Sequence, residues 1–381
     1  MDKVLPFIFL LWAAAASAQS EKLDSISPEI IQLCKQLGPT KKIIGLGEST
    51  HGTKEFTIIR SEIVKTLIET YGYRVFILEA EYLPCVKINE YLRRGQGDPQ
   101  ALLQDVLLWP WINKDFLELI HWMRNYNIKN PSDQVYFLGM DSQLSKLYAT
   151  KDSIRKHYPA QHHSIFKIVE SDDKPKRKIK KLRKLSQTIR SESATVDMRI
   201  HYYMLCRINR LANSDHRDVD ARDENMAYLV DLIHAKYKKK IVIWSHNGHI
   251  WKKKPSWSHR TPAGYHLQQK FNTDYAAVGL DVRRGRFHAV SYDKDDRNEI
   301  KVFDLKPIES TLSMEVDHQN KRMVVMDCST MKGKKYINAI GAIYVSNPQK
   351  GDAFISKIKE DKQFDYIISI PNSSPTELLG R

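Results

Sequence analysis

The stretch Lys41-Lys42-Ile43-Ile44-Gly45-Leu46-Gly47-Glu48-Ser49-Thr50-His51-Gly52 commits its surroundings to one kind of fold. A short apolar run without alternation reads as a strand buried on both faces, and this one breaks at paired glycines. From Thr53 to Thr70 the apolar residues Phe56, Ile59, Ile63 and Leu67 recur at helical spacing. The unit is therefore strand, loop, helix, with Glu48 and His51 in the loop at the strand's C-terminal end. That is where open α/β sheets and barrels place their ligands. A general base and an acid to orient it stand where a substrate binds.

The rest of the chain extends the pattern. Region 24–145 alternates strand and helix, with strands at Lys42–Leu46, Arg74–Ala80 and Gln134–Met140, which predicts a mainly parallel sheet flanked by helices. Region 146–238 has few glycines, many charges and helical periodicity, in segments Ile154–Tyr158, Ile165–Ile189, Ala194–Asn213 and Asp220–Tyr237. It reads as a helical insertion lobe. In region 239–381 strands return, at Lys240–Ser245, Tyr275–Asp281, Phe287–Tyr292, Val302–Leu305, Met323–Asp327, Ala342–Val345 and Tyr366–Ile370. The expected fold class is α/β, two halves of one core interrupted by a helical lobe.

Composition narrows the function. Lys3, the apolar run Val4 to Ala16 and the small residues Ala16-Ser17-Ala18 before Gln19 read as a signal peptide over residues 1–18. The mature protein is then periplasmic or secreted. No later segment has the length of a membrane span, so no stable membrane anchor is expected. Cys34, Cys85, Cys206 and Cys328 show no C-x-x-C spacing and are expected mostly as buried thiols. The net charge is +15, with much of the excess in Lys174 to Lys184. Ile179, Leu182, Leu185 and Ile189 recur through that run at helical spacing. The lysines are the solvated face of an amphipathic helix, and no nucleic-acid partner is expected.

Four strands end in groups that chemistry can use: Glu48 and His51, then Glu79 and Glu81, then Asp141, then Ser245-His246-Asn247-Gly248-His249. Parallel strands would project all of these from one edge. Helix caps account for one such residue, not for charged and imidazole groups at four strand ends. Glu48, His51, Glu79 and His246 are the expected site; Asp141 fits either a cap or a site, and Glu81 an exposed or structural partner. Arg60, on the helix after His51, is placed to pair Glu79 or Glu48, or to stabilise an oxyanion. Gly45-x-Gly47 lacks the third glycine of a dinucleotide fingerprint, and Glu48 would repel a pyrophosphate there. No G-x-S-x-G occurs, so a serine esterase lacks its signature. His51, His246 and His249 leave a divalent-metal site open as an alternative to a cofactor-free His/Glu site.

These motifs together resemble the erythromycin esterase family. The resemblance runs in order through the GESTHG loop, Glu55 and Arg60, FILEAE, Trp109-Pro110-Trp111, FLGMDS, the Arg222-Asp223-x-x-Met226-Ala227 helix and WSHNGHI. It implies a three-layer α/β fold with a helical lobe, and hydrolysis of a small-molecule ester or lactone by activated water, without an acyl-enzyme. It implies His51 as general base, Glu48 and Glu79 as orienting carboxylates, and Arg60 as their lock. His246 would serve the substrate carbonyl or oxyanion, and His249, Asn247 and Trp111 would contact substrate.

Overall fold

The computed structural model describes residues 27–143, 147–192, 197–214, 221–254, 261–309, 311–319, 321–333, 335–346, 355–358 and 363–380. The signal-peptide reading of Met1 to Ser20 lies outside the described residues.

Helix α1 (Pro28–Leu37) precedes β1 (Ile43–Leu46), which runs through the GESTHG loop into α2 (Lys54–Tyr71). Gly72, in the left-handed region at φ 73°, ends α2 and turns the chain into β2 (Tyr73–Glu81). Helices α3 (Tyr82–Arg94), α4 (Pro99–Val106) and α5 (Lys114–Lys129) then lead to β3 (Tyr136–Asp141). The lobe follows as α6 (Leu147–His157), α7 (Pro159–Val169), α8 (Pro175–Glu192), α9 (Met198–Ser214) and α10 (Ala221–Tyr237). After it come β4 (Lys240–Trp244), α11 (Asn247–Ile250), α12 (Ala263–Phe271), β5 (Tyr275–Ser291), β6 (Ile300–Leu305) and α13 (Met314–Gln319). The chain closes with β7 (Val324–Asp327), β8 (Lys335–Asn338), β9 (Ile343–Tyr344), β10 (Ile355–Ile358) and β11 (Tyr366–Ser373).

The main sheet has the order β3-β2-β4-β1-β5-β11-β7, parallel except where β7 meets β11. β6 adds to β5 antiparallel. Strand alternation sends Phe76, Leu78, Val242 and Trp244 to one core with α1 to α5, and Val75, Ile77, Ile241 and Ile243 to the other. That second core continues through α7 to α10 and α12. Burial on both faces is why the strands read as unbroken apolar runs. The result is three layers, with the helical lobe as the outer layer over one sheet face.

Three expectations change in detail. The segment Ile165–Ile189 is two helices: α7 ends at Val169, and Pro175 opens α8, a position that needs no backbone N–H. The strands Tyr275–Asp281 and Phe287–Tyr292 are one strand, β5. Of the arginines between them, Arg283 is held by Asp317 at 3.0 Å and Glu309 at 2.9 Å. β11 and β6 pair the backbone across the junction, at Ser373↔Gly285 and Gly285↔Leu305. Third, β8 and β10 form a separate two-stranded sheet and carry too little apolar pattern to be seen in sequence. The lysine-rich α8 is amphipathic as read, with Ile179 and Leu182 buried and Lys176, Lys180 and Lys184 exposed. All four cysteines are buried free thiols. Among the described residues, no helix is long and apolar enough to cross a membrane.

Candidate active site

Sheet register brings the strand ends together. Leu46 pairs with Trp244, and Trp244 pairs with Leu78, so β1, β4 and β2 finish at one level. The residues just beyond, Glu48, His246 and Glu79, therefore meet at one edge. Glycine keeps the loop tight: a side chain on Gly47 would strike Asn247, and one on Gly52 would strike the His288 backbone.

The first group is a chain of three. Glu48 and Arg60 are fully buried. Glu48 Oε1 lies 2.7 Å from His51 Nδ1, and Oε2 accepts from Arg60 Nη2. Arg60 is fixed in turn by the Phe56 carbonyl at 3.2 Å and by the Trp244 ring, whose centroid lies 3.9 Å away. Burial pulls the guanidinium down to about 10 against the attraction of Glu48, so it remains a cation at neutral pH. His51 keeps 9% of its surface exposed, enough for a substrate to reach the ring while its carboxylate is sealed. Trp111 meets that ring edge-on with centroids 5.5 Å apart, and His246 lies 5.4 Å away. With Nδ1 held by Glu48, Nε2 is the nitrogen available for proton transfer.

The second group surrounds Glu79. Its Oε2 accepts from the Ser245 hydroxyl and the His246 backbone N–H, each at 2.8 Å. Its Oε1 accepts from Arg222 at 3.0 Å and faces His249 Nε2 at 3.2 Å. His249 Nδ1 is 2.6 Å from Asp223, which also accepts the Ala263 N–H at 2.9 Å. Arg222 reaches on to Asp141 at 2.7 Å. Burial alone would raise the Glu79 carboxyl, but His249, Arg222 and His51 outweigh it and hold the group well below its usual range. Burial likewise opposes charge on His249, yet Asp223 and Glu79 push it up to about 10. His249 is thus an imidazolium donating to two carboxylates.

His246 has the opposite character. Burial and the neighbouring His51 pull it down to about 3 against the attraction of Glu79, so it is neutral. Its Nδ1 accepts the Gly248 N–H at 3.2 Å. That bond places the ring proton on Nε2, which is screened from solvent, and the Ser49 backbone favours a proton on the ring. A neutral ring carrying one N–H therefore stands beside the base.

The structure brings Glu48, His51, Arg60, Glu79, Trp111, His246 and His249 to one sheet edge. Of the two carboxylates open to it, Arg60 bonds Glu48. Asn247 and His249, expected on the substrate, are engaged inside the protein. Asn247 binds the Leu280 backbone at 2.9 Å and 3.2 Å and is fully buried, while both His249 nitrogens face carboxylates. Glu81 accepts from Tyr202 at 2.9 Å. Sequence reasoning did not assign Arg222 and Asp223 a place at the site. Both stand in the Arg222-Asp223-x-x-Met226-Ala227 motif, which carried the resemblance without giving either a role. Among the described residues, no group of three or more His, Cys, Asp or Glu side chains is placed to hold an ion.

A profile of erythromycin esterase sequences matches residues 68–196 and 176–373. The chain belongs to the erythromycin esterase family. Erythromycin esterase type II of Escherichia coli is 22% identical over 99% of this chain and 98% of its own length. A mutant of the erythromycin esterase EreC, solved in its open conformation, superposes with TM-score 0.65 at 16% identity, covering 92% of this chain and 95% of that one. A solved succinoglycan biosynthesis protein gives TM-score 0.74 at 20% identity over 94% and 93% of the two chains. At these identities the solved structures speak for the fold. Family membership makes the chain a hydrolase of the erythromycin esterase family.

Proposed function

We propose that this protein hydrolyses a carboxylic ester or lactone, without a metal, using water activated by His51. The observation that carries the reading is the buried Arg60–Glu48–His51 chain set 5.4 Å, ring to ring, from His246. His51 Nε2 takes a proton from water, and the hydroxide attacks the ester carbonyl. The oxyanion accepts from His246 Nε2–H once the entering substrate opens that screened nitrogen. As the tetrahedral intermediate collapses, the C–O bond breaks, and the His51 imidazolium returns its proton to the alkoxide. Glu48 stabilises that imidazolium, and buried Arg60 holds the Glu48 carboxylate in place. Glu79 holds the His246 backbone, so the donor stays aimed. General-base catalysis contributes about 10²–10⁴-fold, and one oxyanion donor about 3–4 kcal/mol.

The named relatives favour a lactone ring as one substrate type, and a macrolide as one member of it. The residues before Gln19 support export to the periplasm or beyond, checked by N-terminal sequencing of the mature protein. The central test is a panel of simple esters and lactones, with one macrolide, incubated with wild type and His51→Ala. The variant should keep the wild-type melting temperature and lose roughly 10²–10⁴-fold in turnover. Undiminished turnover overturns the assignment.

A further inference from the structure

β5 outruns its neighbour at the site. Leu46, the last residue of β1, pairs with Val278, and β5 continues beyond it. Asp281 stands past that level, fully buried beside the GESTHG loop. It takes no part in the hydrolytic steps.

Its Oδ1 accepts from the Val282 N–H at 3.0 Å, the Asn338 N–H at 3.2 Å and Asn338 Nδ2 at 2.8 Å. Asn338 Nδ2 also donates to the Val282 carbonyl at 2.8 Å. Burial pushes the Asp281 carboxyl up to about 7, although Asn338, Val282 and the Ser49 hydroxyl all favour its ionised form. A carboxyl is costly to bury, and what this one holds is the end of β8.

The residues after β8 carry that anchorage to the base. The Ile340 and Gly341 N–H groups both donate to the Ser49 carbonyl, at 2.7 Å and 3.0 Å, and the Gly341 carbonyl accepts the His51 N–H at 3.1 Å. The same Ser49 backbone favours a proton on the His246 ring. Gly341 has φ 69°, in the left-handed region, and a Cβ there would lie 3.7 Å from His246 Nε2. The segment from Asn338 to Gly341 thus grips the loop of the base and stands against the donor ring, while Asp281 fixes its start.

We propose that Asp281 is a positioning residue of the hydrolytic centre, acting through Asn338 and the Ile340–Gly341 backbone to fix His51 opposite His246. The proposal rests on the reading of His51 as general base.

Asp281→Asn, Asp281→Val and Asn338→Leu would be compared in the full chain by kinetics on the ester and lactone panel and by ¹⁵N NMR of the His51 and His246 rings. Asparagine supplies the same accepting oxygen, and its amide can donate to the Ser49 hydroxyl. Asp281→Asn should therefore keep kcat and both ring signals near wild type. Asp281→Val is close in shape but accepts nothing. It should lower kcat roughly 10–100-fold with KM unchanged, and shift both ring signals. Asn338→Leu should show the same kind of loss, and the double variant no more than Asp281→Val alone, since the two residues act as one unit. Melting curves identify the variants that fold; if Asp281→Val does not, Asn338→Leu against Asp281→Asn decides. A melting temperature that falls while kcat and ring signals stay unchanged overturns the proposal, as does Asp281→Asn losing as much as Asp281→Val. Absence of turnover in wild type would count against the hydrolase reading, and the ring signals would still decide this one.

Discussion

Glu48 and Glu79 are two carboxylates at one sheet edge, and their surroundings give them different work. Glu48 is sealed between a cation and the base it orients. Glu79 is the hub of a network with two cations and a backbone N–H. Removing Arg60 leaves Glu48 buried and uncompensated, so Arg60→Met should cost about 3–5 kcal/mol of stability, read from urea unfolding. Adding Glu48→Leu should recover part of that loss; a purely additive double variant contradicts the pairing. His249 yields a pH prediction. Histidine titrates near 6.5 when unfolded, and here near 10, so the folded state holds a proton that the unfolded chain releases. The stabilisation is complete below pH ~6.5 and is lost as pH rises toward ~10. Wild type should lose stability across that window, and His249→Gln should show a flatter curve; parallel curves contradict the imidazolium assignment. At this scale the sequence located the residues better than their partners. Glu48 and His51 are three apart, so their contact was readable from one loop. Arg222 lies 143 residues from Glu79, and nothing local announces that bond.

At the scale of elements, the short runs at β1, β2, β3 and β4 were readable because both faces are buried and each ends at polar residues. The long β5 was not, because its arginines are neutralised by Asp317 and Glu309 from a distant segment. α8 shows how periodicity outranks charge: eight basic residues lie within Pro175–Glu192, yet the apolar stripe decides its packing. Leu182→Ala should therefore cost about 2–5 kcal/mol, while Lys180→Glu should move stability by no more than about 0.5 kcal/mol. Thermal melts of the two variants check both, and a reversed ranking contradicts the placement of that helix. α10 links lobe and sheet, since its first turn supplies Arg222 to Glu79 and Asp141, and Asp223 to His249. The lobe thereby takes part in ordering the hydrolytic edge.

For the whole molecule, strand–helix alternation and a helical middle region gave the α/β class and the lobe. What they did not give was the lobe's placement over one sheet face, which follows from the second apolar core shared by β2, β4, α9 and α10. That arrangement leaves a sheet edge where a neutral donor, a carboxylate-held base and a buried cation meet, and the account of function rests there. The most direct test is mass spectrometry of ester and lactone products formed in ¹⁸O-water by chelator-treated wild type and by His51→Ala. The account predicts one labelled oxygen in the acid product from wild type, no covalent adduct on the protein, and little product from the variant. Comparable labelled product from His51→Ala, or turnover that appears only when a divalent metal is restored, would contradict it.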